Sequence, residues 1–329
     1  MPGDSHLPKA LQGLRIPAVA SPLFIISVPE LVIAQCKAGV IGSFPALNAR
    51  EAEGDPPLLD TWLTRITEEL DRYNQVNPDR PAAPFAVNQI VHRSNVRLDR
   101  DLEICNRHKV PIWITSLGAR VEVNEAAHDC GGIALHDVIN NRFAHKAVEK
   151  GADGLIAVAS GAGGHAGPQS PFALVQEIRE WFDGPLLLSG AIGTGDALLG
   201  ALAMGADLGY IGSPFIATQE ANAVQGYKDM IVQSGAEDIV YSSLFTGVAG
   251  NYLKGSVSNA GMDPDDLPEG DLSTMNFSDK REKPKTWKTI WGSGQGIGAV
   301  KDVLPTAALV DRLEQEFMTA QDRLKKRLS

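Results

Sequence analysis

Up to about residue 214, short apolar runs alternate with longer segments of helical spacing. The runs fall at 16–20, 40–44, 85–90, 112–116, 133–135, 155–159, 186–189 and 209–212. Most are continuously apolar rather than alternating, which predicts parallel strands covered on both faces. Helix signals lie between them. Ser27-Val-Pro-Glu30 reads as a capping box opening a helix through Lys37. Ser170-Pro171 and Ser213-Pro214 each read as an N-cap followed by proline at the first helical position. Thr194 is placed to cap a helix that runs to Met204.

One junction recurs. KAG-V at 37–40, KGAD-G at 150–154 and MGAD-L at 204–208 each join a helix end to an apolar run. Glycine there supplies the left-handed residue that stops a helix. A repeated β/α unit with eight strands predicts an α/β fold, a (β/α)8 barrel, with an open doubly wound sheet as the rival. The rhythm breaks between 215 and 291, where the polar stretch 263–288, with charges of both signs, reads as a loop or lid. Helical spacing returns over 306–328 and ends in Lys325-Lys326-Arg327, cations that suit a helix C-terminus.

Composition narrows the classes. The chain has 329 residues, 43% of them apolar, enough for a sizeable core. A net charge of −10 argues against a phosphate-backbone binder, so no nucleic-acid partner is expected. No apolar run approaches the roughly 20 residues of a membrane span, so no membrane partner is expected. Three cysteines without a C-x-x-C pair suit a reducing compartment, and we expect a cytoplasmic protein.

Candidate chemistry concentrates at strand ends. Ser160-Gly-Ala-Gly-Gly-His165 follows the sixth strand, at the end of a barrel where active sites are built. Its glycines allow close backbone approach to a flat ligand, and a neutral imidazole is a competent base. Glycine-rich turns after the seventh and eighth strands, around Ser189-Gly190-Ala191 and Gly212-Ser213, read as phosphate loops or as plain helix caps. Asn88, at a strand end, could read a ring edge or form a turn. His136-Asp137 closes the fifth strand as a pair or an Asx turn, in a supporting role. His92, His108, His128 and His145 read as surface residues. Gly294-Gln-Gly-Ile-Gly-Ala299 matches the dinucleotide fingerprint superficially but lacks the strand before it, so a Rossmann site is rejected. No H-E-x-x-H or C-x-x-C pattern exists, and no metal site is expected.

Taken together, GAGGHAG (161–167), SGAIGTGDALLGALAMGAD (189–207), GYIGSPFIAT (209–218) and IWGSGQGIG (290–298) resemble the nitronate monooxygenases, formerly 2-nitropropane dioxygenases. The resemblance covers most of the chain and is strongest from about 130 to 220. It implies a TIM barrel carrying FMN, formed by 1–214 and 291–329, with a smaller, mainly helical domain at 215–290. It implies His165 as the catalytic histidine and Gly163 and Gly164 as the flavin-contacting loop. Ser189, Gly190, Ala191, Gly212 and Ser213 correspond to phosphate-binding positions. Asn88 corresponds to an amide near the flavin ring, and Gln295 and Gly296 to a late loop over the flavin. Three departures stand out. Ser21-Pro22 end the first strand where Gln-Gly/Ala-Pro/Gly-Met is usual, and both, with Asp137, are still expected to contact the cofactor. Asp137 stands where lysine is common, and an apolar residue near Val158 replaces an aspartate.

The implied activity is oxidation of alkyl nitronates or nitroalkanes with O2, with His165 as general base. NAD(P)H-dependent reduction of enoyl thioesters or quinones is an alternative, for which the Lys-rich stretch 280–288 would contact a pyrophosphate. A non-catalytic flavin-binding barrel is the third. The sequence leaves the assembly state open, a homodimer included.

Overall fold

In a computed structural model, which describes residues 6–52, 54–270 and 289–329, eight parallel strands form the barrel that the apolar runs predict. They are β1 (Ala18–Ala20), β2 (Gly42–Pro45), β3 (Phe85–Ile90), β4 (Ile112–Ser116), β5 (Ile133–Val138), β6 (Gly154–Val158), β8 (Leu186–Ser189) and β9 (Leu208–Ile211). The order β1-β9-β8-β6-β5-β4-β3-β2 closes through a parallel bridge between Val19 and Ile41. A two-residue strand, β7 (Gly164–His165), lies outside the barrel.

Helices α1 (Pro29–Ala38), α2 (Leu58–Val76), α3 (Leu98–Arg107), α4 (Val121–Asp129), α5 (Asn141–Glu149), α6 (Pro171–Arg179) and α7 (Gly195–Ala203) alternate with the strands. The recurring junction glycines, Gly39, Gly151 and Gly205, have φ of 93°, 92° and 112°, the left-handed geometry that ends a helix. Val19, Ile41, Ala86, Ile112, Ile114, Leu135, Ile156 and Leu187 fill the barrel, and Leu7 and Leu11 from the N-terminal segment join them. The barrel is therefore a packed core, and a ligand fits only at its rim.

Two caps differ from expectation. Ser27 does not cap α1: its hydroxyl accepts from Leu23 N–H at 2.9 Å, and extended Val28 is the N-cap. Ser213 is the first residue of the short helix α8 (Ser213–Ile216), whose N-cap is Gly212. Thr194 caps α7 through Ala197 N–H.

The segment after β9 holds α9 (Gln225–Gln233) and α10 (Lys254–Asn259), and also the antiparallel pair β10 (Ile239–Ser242) and β11 (Gly250–Leu253). The short strand β7 adds to β11, with Gly250 opposite His165. A Cβ on Gly250 would lie 2.6 Å from the Gly164 carbonyl oxygen, so only glycine permits this approach. Helix α11 (Thr306–Leu328) matches its predicted span and packs on α7 and α1.

Candidate active site

A cavity of about 1780 Å³ opens at the C-terminal ends of the barrel strands. Its wall includes Ser21, Pro22, Asn88, Asp137, Gly163, Gly164, His165, Ser189, Gly190, Ala191, Gly212, Ser213 and Gly296. Gln295 is not on the wall. Its backbone N–H binds Gly161 O at 2.9 Å and its side chain is exposed. The volume exceeds the roughly 300–1,000 Å³ of a drug-sized site.

His165 reaches the cavity on β7, held by main-chain pairing to β11. Its Nε2 lies 2.8 Å from Thr246 Oγ1, on the turn between β10 and β11. Burial disfavours the imidazolium and lowers its pKa to about 4, so the ring is neutral at physiological pH. It is a weaker base than the ordinary imidazole expected from sequence.

Three glycine-rich loops interlock above β6, β8 and β9. Ala191 N–H binds Gly161 O at 3.2 Å, so Ala191 contributes a turn rather than a free donor. Gly294 N–H donates to Ser213 Oγ at 2.8 Å, tying the late loop to α8. Side chains would fill this cradle. A Cβ on Gly163 would meet Gly294 N at 2.7 Å, and one on Gly190 would meet Ser160 O at 2.9 Å. Ile25, Leu117 and Ala191, all on the wall, adopt left-handed φ of 69°, 66° and 54°. Such strain costs about 1–3 kcal/mol per residue and clusters at functional sites.

Opposite the glycine loops runs a polar chain. Asn88 Nδ2 donates to Ser116 Oγ at 2.7 Å, and the Ser116 hydroxyl and Leu117 N–H hydrogen-bond the Asp137 carboxylate. Burial outweighs those bonds and pushes the Asp137 carboxyl up to about 6. The Tyr210 hydroxyl is pushed well up by burial and by the charge of Asp137. His136 and Asp137 are not a catalytic pair. They lie within β5, where successive side chains point to opposite faces, and His136 Nδ1 bonds Thr115 Oγ1. Val158 also lines the cavity.

The Asp137 shift has a testable sign. Its folded pKa of about 6 lies above the unfolded 3.8, so its contribution to stability is full below about pH 3.8 and lost as pH rises through 6. Asp137→Asn should therefore stabilise the apoprotein above pH 6 by about 2–3 kcal/mol, with the gain vanishing near pH 4. Thermal unfolding across that range measures it, and a pH-independent difference would contradict the shift.

Among the other histidines, His128 and His145 are exposed, whereas His92 and His108 are half-buried. His108 pairs with Asp60 and His128 with Asp153. Sequence reasoning missed Tyr210, Ser116, Leu117 and Thr246. Strand periodicity could have found Tyr210 and Ser116. The Lys-rich stretch 280–288, and all of the loop or lid expected over 263–288 beyond Gly270, lie outside the described residues. Among the described residues, no group of His, Cys, Asp and Glu could hold a metal, and no helix is long and apolar enough to cross a membrane.

The family model for nitronate monooxygenase matches residues 7–316. The chain belongs to that family. A nitronate monooxygenase of Paraburkholderia phytofirmans is 23% identical over 96% of each chain. FabK from Thermotoga maritima superposes with a TM-score of 0.75 at 20% identity, over 97% of each chain. Nitroalkane oxidase from Streptomyces ansochromogenes superposes at 0.69 and 20% identity, over 94% of this chain and 97% of its own. Both structural likenesses speak for the barrel. Family membership makes the protein an oxidoreductase, with oxidation of nitro compounds as the activity at family level.

Proposed function

We propose that the cavity binds FMN and that the enzyme oxidises alkyl nitronates, and more slowly their parent nitroalkanes, with O2. The observation that carries this reading is one cavity bounded by His165, the glycine loops after β8 and β9, and the Asn88–Ser116–Asp137 chain. The residues fit the cofactor. Gly190, Gly212 and Gly163 leave Cβ-free space for a phosphate and a flat ring, and the Ser213 hydroxyl, accepting from Gly294, keeps its own proton to donate. Asn88 and Asp137 would face the ring's polar edge from the opposite wall.

FMN, when bound, supplies the capacity to take electrons from the substrate and deliver them to O2. The chain's own residues do the rest. Apolar Ile25, Leu117, Ile139 and Val158 exclude water and hold the substrate's alkyl part. His165, neutral above about pH 4, removes the α-proton when the substrate arrives as a nitroalkane. A base held that far below neutrality accepts protons inefficiently from a weak carbon acid. This favours a substrate that arrives already ionised.

The test is direct. The purified protein should be yellow, release FMN rather than FAD on denaturation, and consume O2 with a preformed nitronate. A colourless protein that fails to bind added FMN would sink the reading. Rapid anaerobic bleaching by NAD(P)H, without nitronate turnover, would favour a reductase.

A further inference from the structure

We infer that Thr246 is a positioning residue: its hydroxyl holds the neutral His165 ring as the Nε2–H tautomer and so puts the proton-accepting lone pair on Nδ1. The inference rests on the proposed role of His165 as the base, and it follows from counting protons. Thr246 has one hydroxyl proton. Its Oγ1 lies 3.0 Å from the Val248 carbonyl oxygen, which can only accept, so Oγ1 donates there. The Val248 N–H donates to Oγ1 at 3.3 Å, leaving one lone pair of the hydroxyl for His165. His165 Nε2, 2.8 Å from Oγ1, is then the donor of that contact. In a neutral imidazole one nitrogen donates and the other accepts, so the lone pair lies on Nδ1.

The contact is held from two sides. Thr246 sits on the turn from β10 to β11, and Gly250 of β11 pairs in register with His165 on β7. Main-chain pairing therefore brings the hydroxyl to the ring whether or not the side chains bond.

The consequence appears in proton abstraction. The α C–H bond of the nitroalkane breaks, its electron pair stays in the substrate as the nitronate, and the proton goes to Nδ1. The ring becomes an imidazolium with two N–H donors. Its bond from Nε2 to Thr246 survives and gains strength from the charge. Without an acceptor at Thr246, part of the population holds the proton on Nδ1 and cannot act.

The experiment uses the holoenzyme with isotope-labelled histidine, and reads the His165 ring nitrogens by NMR in wild type, Thr246→Val and Thr246→Ser. A protonated Nε2 and an unprotonated Nδ1 are expected in wild type and in Thr246→Ser. A shift towards protonated Nδ1 is expected in Thr246→Val. In parallel, Thr246→Val should lose about tenfold in kcat on the neutral nitroalkane, the scale of one neutral hydrogen bond, with little change in KM. A smaller loss is expected on the preformed nitronate, and recovery in Thr246→Ser. A protonated Nδ1 in wild type overturns the inference without needing either variant to fold, and so does a tautomer unaltered in Thr246→Val. Failure of the base reading is a separate result: His165→Asn would then turn over the nitroalkane at the wild-type rate, whatever the spectrum shows.

Discussion

Gly212→Asp is expected to lower the affinity for FMN by about a thousandfold while the barrel still folds. Gly212 lies on the cavity wall between β9 and α8, where the phosphate is proposed to sit. Its φ of −112° is ordinary for any residue. A Cβ there would lie 2.9 Å from Ser21 Oγ, a single hydroxyl that can rotate away. The steric cost to the fold is therefore small, and the electrostatic cost to the ligand is large. Two negative charges about 4 Å apart repel by about 4 kcal/mol at an effective dielectric near 20, which is some three decades in affinity. Fluorescence titration of the apoprotein with FMN measures it, and circular dichroism reports the fold. An unchanged Kd would leave this turn as a helix cap and move the phosphate elsewhere.

His165→Asn should separate the two forms of substrate. Asparagine keeps a polar side chain of similar reach and removes the base. On a neutral nitroalkane the rate should fall by about 10²–10⁴-fold, the usual contribution of a positioned base. On the preformed nitronate there is no α-proton to remove, so the loss should be much smaller. The pH profile carries a second check. Because burial holds His165 near 4, the ring stays neutral from pH 5 to 8 and should impose no acid limb of its own in that range. Asp137, near 6, does titrate there, so an acid limb that disappears in Asp137→Asn belongs to the carboxyl. Small, equal losses on both substrate forms, with FMN still bound, would remove His165 from the chemistry.

The eight strands and α11 were legible because their signals are local. Each strand is a short apolar run, and each helix end with Gly39, Gly151 or Gly205 needs the one residue that adopts left-handed φ without strain. The placement of His165 and of the loops after β8 and β9 followed from the barrel rule that sites form at strand C-termini. Other features depend on what stands opposite. Ser27 carries the letters of a cap, yet its hydroxyl is engaged by Leu23 N–H. His136 and Asp137 are adjacent in sequence but separated by the pleat. Ile25, Leu117 and Ala191 accept left-handed backbone that their residue types do not favour, which only surrounding packing can impose.

Sequence by itself determined where chain segments become strands or helices and which residue types stand at the strand ends, because periodicity, capping and glycine geometry act within a few residues. Tertiary structure alone decided the protonation of His165 and Asp137 and the partner of the His165 ring. Thr246 stands 81 residues from His165, in a segment without periodic signal, and is brought to it by the pairing of β7 with β11. Burial and hydrogen bonds across such distances set pKa and tautomer, and no local pattern encodes them.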